Sequence, residues 1–373
     1  MKRKVKPILL AVPLLAFALF GGYEAKAQLE SISSKTNLMK VTAATASSFY
    51  IDDSHRVFAF GNNSAYQLGY AQSSARYLPV ETLDQVSAIA SGQSHTLFLK
   101  TDGTLWTVGE NNYGQLGTGD VDSRKTPVQV ASNVIAIAAG KDFSFYVLND
   151  HSLWAMGNNT FGQLGNGNTD TQRTPVKVME QVQAVVAATA HTLVLKTDGT
   201  LWAMGNNFAY QLGDGTDKHK SSPVKIASDV VQMSAGNQFS LFLKSDGTLY
   251  GVGFDGAGQL GDNNTLTVHR PKAILTGVKE AHAGHGHTLA LKTDGTLWAA
   301  GLNDAGQLGN RNNSNLGRFE RVMEDVAAVS AGGYHSLVLK NDGTVWSTGS
   351  NGSGQLGTGT GLSDRNHFEH VTF

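Results

Sequence analysis

The sequence predicts an all-β fold: a seven-bladed β-propeller of seven 48-residue repeats, with four antiparallel strands per blade. Three observations predict it. Gln-Leu-Gly begins at Gln67, Gln115, Gln163, Gln211, Gln259, Gln307 and Gln355, each step being 48 residues with no drift. Phe58, Trp106, Trp154, Trp202, Tyr250, Trp298 and Trp346 keep the same beat and include all five tryptophans. Val, Thr and aromatic residues recur in short runs among 43 glycines, a composition of strands and tight turns. A unit this small cannot bury its own apolar faces, so equal copies in series must pack on one another. That also explains how 373 residues exceed the usual limit of one continuous core.

The N-terminus is of different composition. Lys2, Arg3, Lys4 and Lys6 precede an apolar run from Ile8 to Phe20, and Ala25 and Ala27 place small residues where a signal peptidase reads. Residues 1–27 are therefore expected to be a cleaved secretory signal. The run is shorter than the roughly 20 residues of a spanning helix, and Pro13 interrupts it. The protein is expected to meet the membrane only during export, and to be secreted or held in the cell envelope. With no cysteine anywhere, neither a lipoprotein anchor nor disulfides are available, and the repeats must supply stability themselves. The formal net charge is −1; removing the signal's five basic residues and one acid leaves −5. A mildly acidic chain lacks the positive footprint nucleic acid requires. Residues 28–37 form a short polar lead, and residues 38–373 are seven times 48.

Within a copy, Val134–Ala139 reads as a first strand and Phe143–Leu148 as a second. Asn149-Asp150-His151 stands where other copies have Asp-Gly, as in Thr101-Asp102-Gly103-Thr104; Asp-Gly between strand-like runs is a hairpin signal, because the turn requires positive φ. A third strand carries Trp154 through residues 152–157. A long Gly/Asn/Thr/Asp loop over residues 158–173 leads to a fourth strand at residues 174–178, where Pro175 fits a sheet edge. Strand parity then puts the first-to-second and third-to-fourth loops on one face and the Asp-Gly turns on the other. Residues 365–373 match the fourth strand and residues 38–43 the first. Closure is therefore either blade by blade or through a blade combining strands from both termini.

Gly-x-x-His-Thr-Leu-x-Leu-Lys-x-Asp-Gly-Thr-Leu-Trp followed by Gly-x-Asn-x-x-Gly-Gln-Leu-Gly, clearest from Gly92 to Gly117 and from Gly284 to Gly309, resembles the repeat of the regulator of chromosome condensation (RCC1) family. The Trp-Asp pair of WD40 repeats is absent, and within residues 38–373 Gly332-Gly333 is the lone double glycine of the kelch kind. The resemblance implies a seven-bladed propeller. It also raises a guanine-nucleotide exchange reading, which the export signal, the absence of an inserted wedge and the non-basic lead oppose. A secreted bacterial β-lactamase inhibitor of this repeat type implies a second possibility: a target clamped by loop aromatics of one face.

Residues repeated in every copy are expected to be structural. Gln115 and its equivalents should bind loop backbone, and Trp106 and its equivalents should fill space between blades. His95, His191, His287 and His335 share a position held elsewhere by Phe143 and Phe239. Phe cannot ligate metal, so packing with one hydrogen bond is expected there. His282, His285 and His287 form a local cluster that is not expected to complete a metal set, and the Asp120–Asp122 and Asn166–Asp170 loops lack the acid ladder of a calcium loop. No metal, cofactor or catalytic group is assigned. The residues that vary are the candidates. Tyr113, Phe161, Phe208 and Phe254 fall in the long loops; Tyr66 and Tyr210 replace the Gly before Gln-Leu-Gly, where left-handed backbone would cost each about 1–2 kcal/mol. Lys141, His285 and Tyr334 occupy the short loops of the same face. Gathered aromatics point to a monomeric, non-enzymatic protein that binds another protein; a carbohydrate-binding or enzymatic central mouth is the alternative.

Overall fold

A computed structural model describes residues 40–359 and 361–372. The predicted signal and lead lie outside the described residues, as do residues 38 and 39 of the first expected strand. Seven four-stranded antiparallel sheets each take their strands in chain order. Blade 1 spans 40–83, blade 2 86–131, blade 3 134–179, blade 4 182–227, blade 5 230–275, blade 6 278–323 and blade 7 326–370. Burial falls outward: the first three strands of a blade are nearly all buried, while the fourth alternates between exposed and half-buried. Inner strands such as Val134–Ala139 are short runs of Ala, Val and Ile. Both of their faces pack on neighbouring blades, so the polar alternation of a one-sided sheet is missing.

The expected first and second strands of blade 3 occur at Val134–Ala139 and Phe143–Leu148, and the third at Leu153–Gly157. The fourth is longer than expected, Gln172–Met179. A bulge between Ala155 and Gly157 lets Gly157 pair with Gln172, extending the ladder past Pro175 on the free outer edge. At the Asp-Gly turns Gly103 has φ 80°, and His151, standing in for Gly, has φ 64°.

Copies and blades coincide, so no blade mixes strands from the two termini. The ring is sealed by packing. Val41, Ala43, Tyr50 and Phe60 of blade 1 share a core with Leu337, Leu339 and Val345 of blade 7 and with Val371. Ala43 N donates to Ser330 Oγ (2.9 Å), and Gly333 N donates to Ala44 O (2.9 Å). This repeats the junction of blades 5 and 6, where Ala283 N donates to Ser234 Oγ (2.8 Å).

The repeated histidines and phenylalanines follow a pairing rule across blade junctions. His95, His191, His287 and His335 are buried and hydrogen-bond through Nε2 to Ser144, Ser240, Ser336 and Ser48 of the next blade at 2.8–3.0 Å. Each serine also donates to a carbonyl, of Gln115, Gln211, Gln307 and Gln355 respectively. The hydroxyl has one proton, so the imidazole must donate, and all four rings are Nε2–H tautomers. Where the ring position holds Phe143, Phe239 or Ser47, the next blade has Thr192, Thr288 or Thr96, whose hydroxyl donates to the corresponding Gln carbonyl. Burial pushes His95, His191 and His287 down to about 3, and His335 to about 4.

Candidate functional site

Each long loop is held by two side chains. Gln115 Oε1 accepts from Tyr113 N (2.9 Å), and Asn111 Oδ1 accepts from Leu116 N (2.9 Å). Gln163 and Asn159 do the same for Phe161 N and Leu164 N. The loops are therefore rigid mounts, and what they carry at variable positions is presented at a defined place.

Tyr113 is 41% exposed, Phe208 68%, Phe254 40% and Tyr334 40%. Phe161 is half-buried and meets Phe208 edge-on at 6.4 Å. His219 lies 4.2 Å from Phe208 and 5.1 Å from Phe161, forming a three-ring cluster across blades 3 and 4. Its Nδ1 accepts from Asn207 N (3.0 Å), which anchors the ring, and burial holds its pKa below the usual range. Tyr66 and Tyr210 have φ 66° and 61°, the left-handed backbone that Gly114 and Gly162 adopt at φ 77° and 76°. Both rings lie over the fourth strand of the following blade: Tyr210 stacks on His269 (3.8 Å), and Lys125 Nζ lies 5.5 Å from the Tyr66 ring.

Lys141 and His285 line a cavity of about 330 Å³ at the axial mouth, together with Thr45, Gln93, Thr189 and Asn237, one residue from each of these blades. Inter-blade backbone bonds, such as Gln93 N to Lys141 O (3.2 Å) and His285 N to Gly332 O (3.2 Å), stitch this rim. The His285 ring is 5.1 Å from Tyr334, and burial lowers its pKa. The predicted residues thus fall into a rim cluster (Phe161 with Phe208) and a mouth cluster (His285 with Tyr334, and Lys141 nearby). The structure does not join Tyr113 or Phe254 to either.

His282, His285 and His287 do not converge, because His287 is committed to Ser336 and His285 to Tyr334. No set of three His, Cys, Asp or Glu side chains is arranged for a metal among the described residues. In the two acidic loops the side chains are used internally: Asp120 binds Arg124 (2.6 Å) and Asn111, and Asn166 and Asn168 accept from Asn159. The tryptophans are only half-buried, at the outer margin of the junctions, each indole N–H donating to the hydroxyl two residues before it, of Thr104, Ser152, Thr200, Thr296 or Thr344. They edge the inter-blade core rather than fill it. His219, in a loop, and His269, in an outer strand, were missed in the sequence because isolated histidines carry no pattern. Asp255 was missed although a signal exists: it stands where the six other copies have Asn.

Fold and face together define a closed ring of like repeats that carries variable side chains on rigid loops at one end. The sequence profile of the regulator of chromosome condensation (RCC1) repeat matches residues 54–99, 102–147, 150–195, 198–243 and 246–291, and a second profile of that description matches 86–115, 134–163, 230–259, 281–307 and 326–355. The chain belongs to the RCC1 repeat family. Each longer match joins the last two strands of one blade to the first two of the next, so the family's sequence unit straddles a junction. Among solved structures, human WBSCR16 aligns with TM-score 0.76 and 24% identity over 85% of this chain and 94% of that one. Yeast RCC1 (Prp20) in complex with Kap60 aligns with TM-score 0.78 and 19% identity over 100% and 91%. Prp20p of Saccharomyces cerevisiae, solved with a study of its binding to Gsp1p and histones, aligns with TM-score 0.78 and 20% identity over 90% and 88%. At these identities the likeness concerns the fold. No curated protein matches the chain in sequence.

Proposed function

We propose that this chain is an exported, monomeric, non-catalytic propeller that binds a protein through the loops of one face. One observation carries the reading: where the exposed large apolar side chains lie. Tyr113, Val121, Phe208, Phe254, Leu266, Tyr334 and Leu362 all belong to loops of that face. Tyr77 and Leu78, the other two among the described residues, begin the fourth strand of blade 1 and lie against Gly354 and Gly359 of the blade 7 loop. Scattered surface apolar residues need no explanation, but segregation to one face favours an interface whose energy comes from a few aromatic anchors.

The yeast relative is seen bound to Kap60, and its binding to Gsp1p and histones has been studied; a protein partner for this chain is in keeping with that. The mildly acidic mature chain favours protein over nucleic acid. Export rests on residues 1–27 and predicts a mature protein beginning at Gln28. An exchange factor working in the cytosol fits such a leader poorly.

The test is capture from culture supernatant and cell envelope with residues 28–373. Tyr113→Ala combined with Phe208→Ala should weaken partner capture at least tenfold while leaving the Tm unchanged. Undiminished capture by that variant would refute the assigned face. N-terminal sequencing that finds Met1 retained would refute cleavage.

A further inference from the structure

Each long loop opens on one buried side chain: Asn63, Asn111, Asn159, Asn207, Asn303 and Asn351 in six blades, and Asp255 in blade 5. The Oδ1 atom does the same work in blades 5 and 6, accepting from Leu260 N (2.8 Å) or Leu308 N (2.9 Å). The other atom is where they differ. Asn303 Nδ2 donates to Asn310 Oδ1 (3.0 Å), Asn312 O (2.9 Å) and Ser314 O (3.1 Å). Asn207 Nδ2 likewise donates to Asp214 Oδ1 (3.0 Å), Thr216 O (2.7 Å) and Lys218 O (3.2 Å). An amide nitrogen thus sits at the meeting point of three oxygens.

Blade 5 keeps this loop and removes the hydrogens. Asn263 and its equivalent Arg311 both have φ 69°. Leu266 N donates to Asn264 Oδ1 at 2.8 Å, as Ser314 N does to Asn312 Oδ1. Asp262 Oδ1 accepts from Asn264 N (3.1 Å), as Asp214 Oδ1 does from Thr216 N (2.9 Å). Asp262 Oδ2 is paired with Lys272 Nζ (2.7 Å), as Asp214 Oδ2 is with Lys220 (3.2 Å). By these equivalences Asp255 Oδ2 faces Asp262 Oδ1, Asn264 O and Leu266 O, which are all acceptors. Asp255 is fully buried, and its Oδ2 has no hydrogen-bond partner. A buried charged oxygen without a partner is costly. With both carboxyls ionised, two carboxylates and one ammonium leave this pocket one negative charge in excess.

We propose that Asp255, Asp262 and the backbone carbonyls of Asn264 and Leu266 bind a calcium ion. Calcium accepts mixed carboxylate and carbonyl oxygens in irregular geometry, whereas magnesium demands a near-ideal octahedron and holds its waters. The ion takes the place of the missing amide hydrogens, holding in blade 5 the loop that Asn holds elsewhere, next to the exposed Phe254.

Chelator-treated full-length mature protein is titrated with calcium chloride and followed by calorimetry and thermal unfolding. The expected result is binding of one calcium per chain and a Tm that climbs with calcium concentration. Asp255→Asn, which gives blade 5 the side chain of the other six, should fold, lose calcium affinity at least tenfold and have a Tm indifferent to calcium. Asp262→Asn, which puts an amide opposite Asp255, should behave the same way. Absence of heat and of a Tm response in the parent protein up to about 10 mM calcium, above the millimolar end of protein calcium sites, overturns the proposal. So does a calcium response that survives in both variants.

Discussion

Four of the seven blade junctions carry a histidine that is buried neutral, and exchanging one for the Phe–Thr pair used at other junctions should remove its share of acid sensitivity. Desolvation holds His95 down at about 3, whereas an unfolded chain titrates near 6.5. Between those values the unfolded state binds a proton that the folded state refuses. The stability tied to the neutral ring is therefore complete above pH 6.5, declines as pH falls, and is fully lost only below the folded value. From about pH 7.5 to about 5.5 the linkage amounts to about 1.4 kcal/mol per ring, and about 5–6 kcal/mol for four. The figure depends on the unfolded pKa alone, since the folded values lie far below this window. Asp255 works in the opposite sense: burial, reinforced by Asp262, pushes it up to about 7, so acidification favours the fold there. It is common to both proteins compared and cancels. The variant is His95→Phe with Ser144→Thr. It copies the junction of Phe143 with Thr192, where the phenyl ring lies over Gly140 as the imidazole lies over Gly92, and where Thr192 pairs with Met204 as Ser144 pairs with Met156. Urea unfolding at the two pH values should show the variant losing about 1.4 kcal/mol less than the parent on acidification. Equal losses in the two proteins would refute the assignment of neutral Nε2–H rings.

Ser144→Ala alone should leave the His95 N–H buried without an acceptor and cost about 1–3 kcal/mol by urea unfolding; a neutral effect would place the proton on Nδ1. Tyr66→Gly should relieve left-handed strain worth about 1–2 kcal/mol, offset in part by loss of the contact with Lys125; a drop in Tm would mean the ring packs more productively than its backbone costs. Trp154→Ala should cost about 2–3 kcal/mol, less than the 3–5 of a fully buried aromatic, because the ring is half-exposed; a change under 1 kcal/mol would remove it from the junction core. Deleting residues 366–373 strips the outer strand of blade 7 together with Phe368 and the fully buried Val371, and should lower the Tm by several degrees; an unchanged Tm would contradict the packing of Val371 against blade 1.

The repeat made most of the fold legible. A 48-residue period places Gln115, Trp106 and His95 once per unit, and strand parity follows from counting runs between turn signals. Strand ends were less legible. The extension of the fourth strand to Gln172 depends on a bulge opposite Ala155 and Gly157, and nothing local in Gln172-Arg173 distinguishes ladder from loop. Closure was undetermined because every junction uses the same chemistry, so matching the terminal segments to strand types could not say which strands share a sheet.

The site divides along the same line. Where the sequence departs from its own period, the departure marked a real structural exception: Tyr66 and Tyr210 do occupy left-handed backbone. What period-reading could not supply is partnership across junctions, because partners lie 49 residues apart for His95 with Ser144 and 59 for Tyr210 with His269, and neither member announces the other. Once the junctions are seen, the pairing becomes a rule the sequence already contained: a hydroxyl is always kept to hold the Gln carbonyl, from Ser where the facing position is His and from Thr where it is Phe or, once, Ser47. Asp255 is the converse case. Its neighbours keep the geometry of the Asn-headed loops while its own chemistry is inverted from donor to acceptor, so something outside the covalent chain must supply the positive charge or the proton. In a ring of near-identical units, the informative residues are those that preserve the backbone and change the charge.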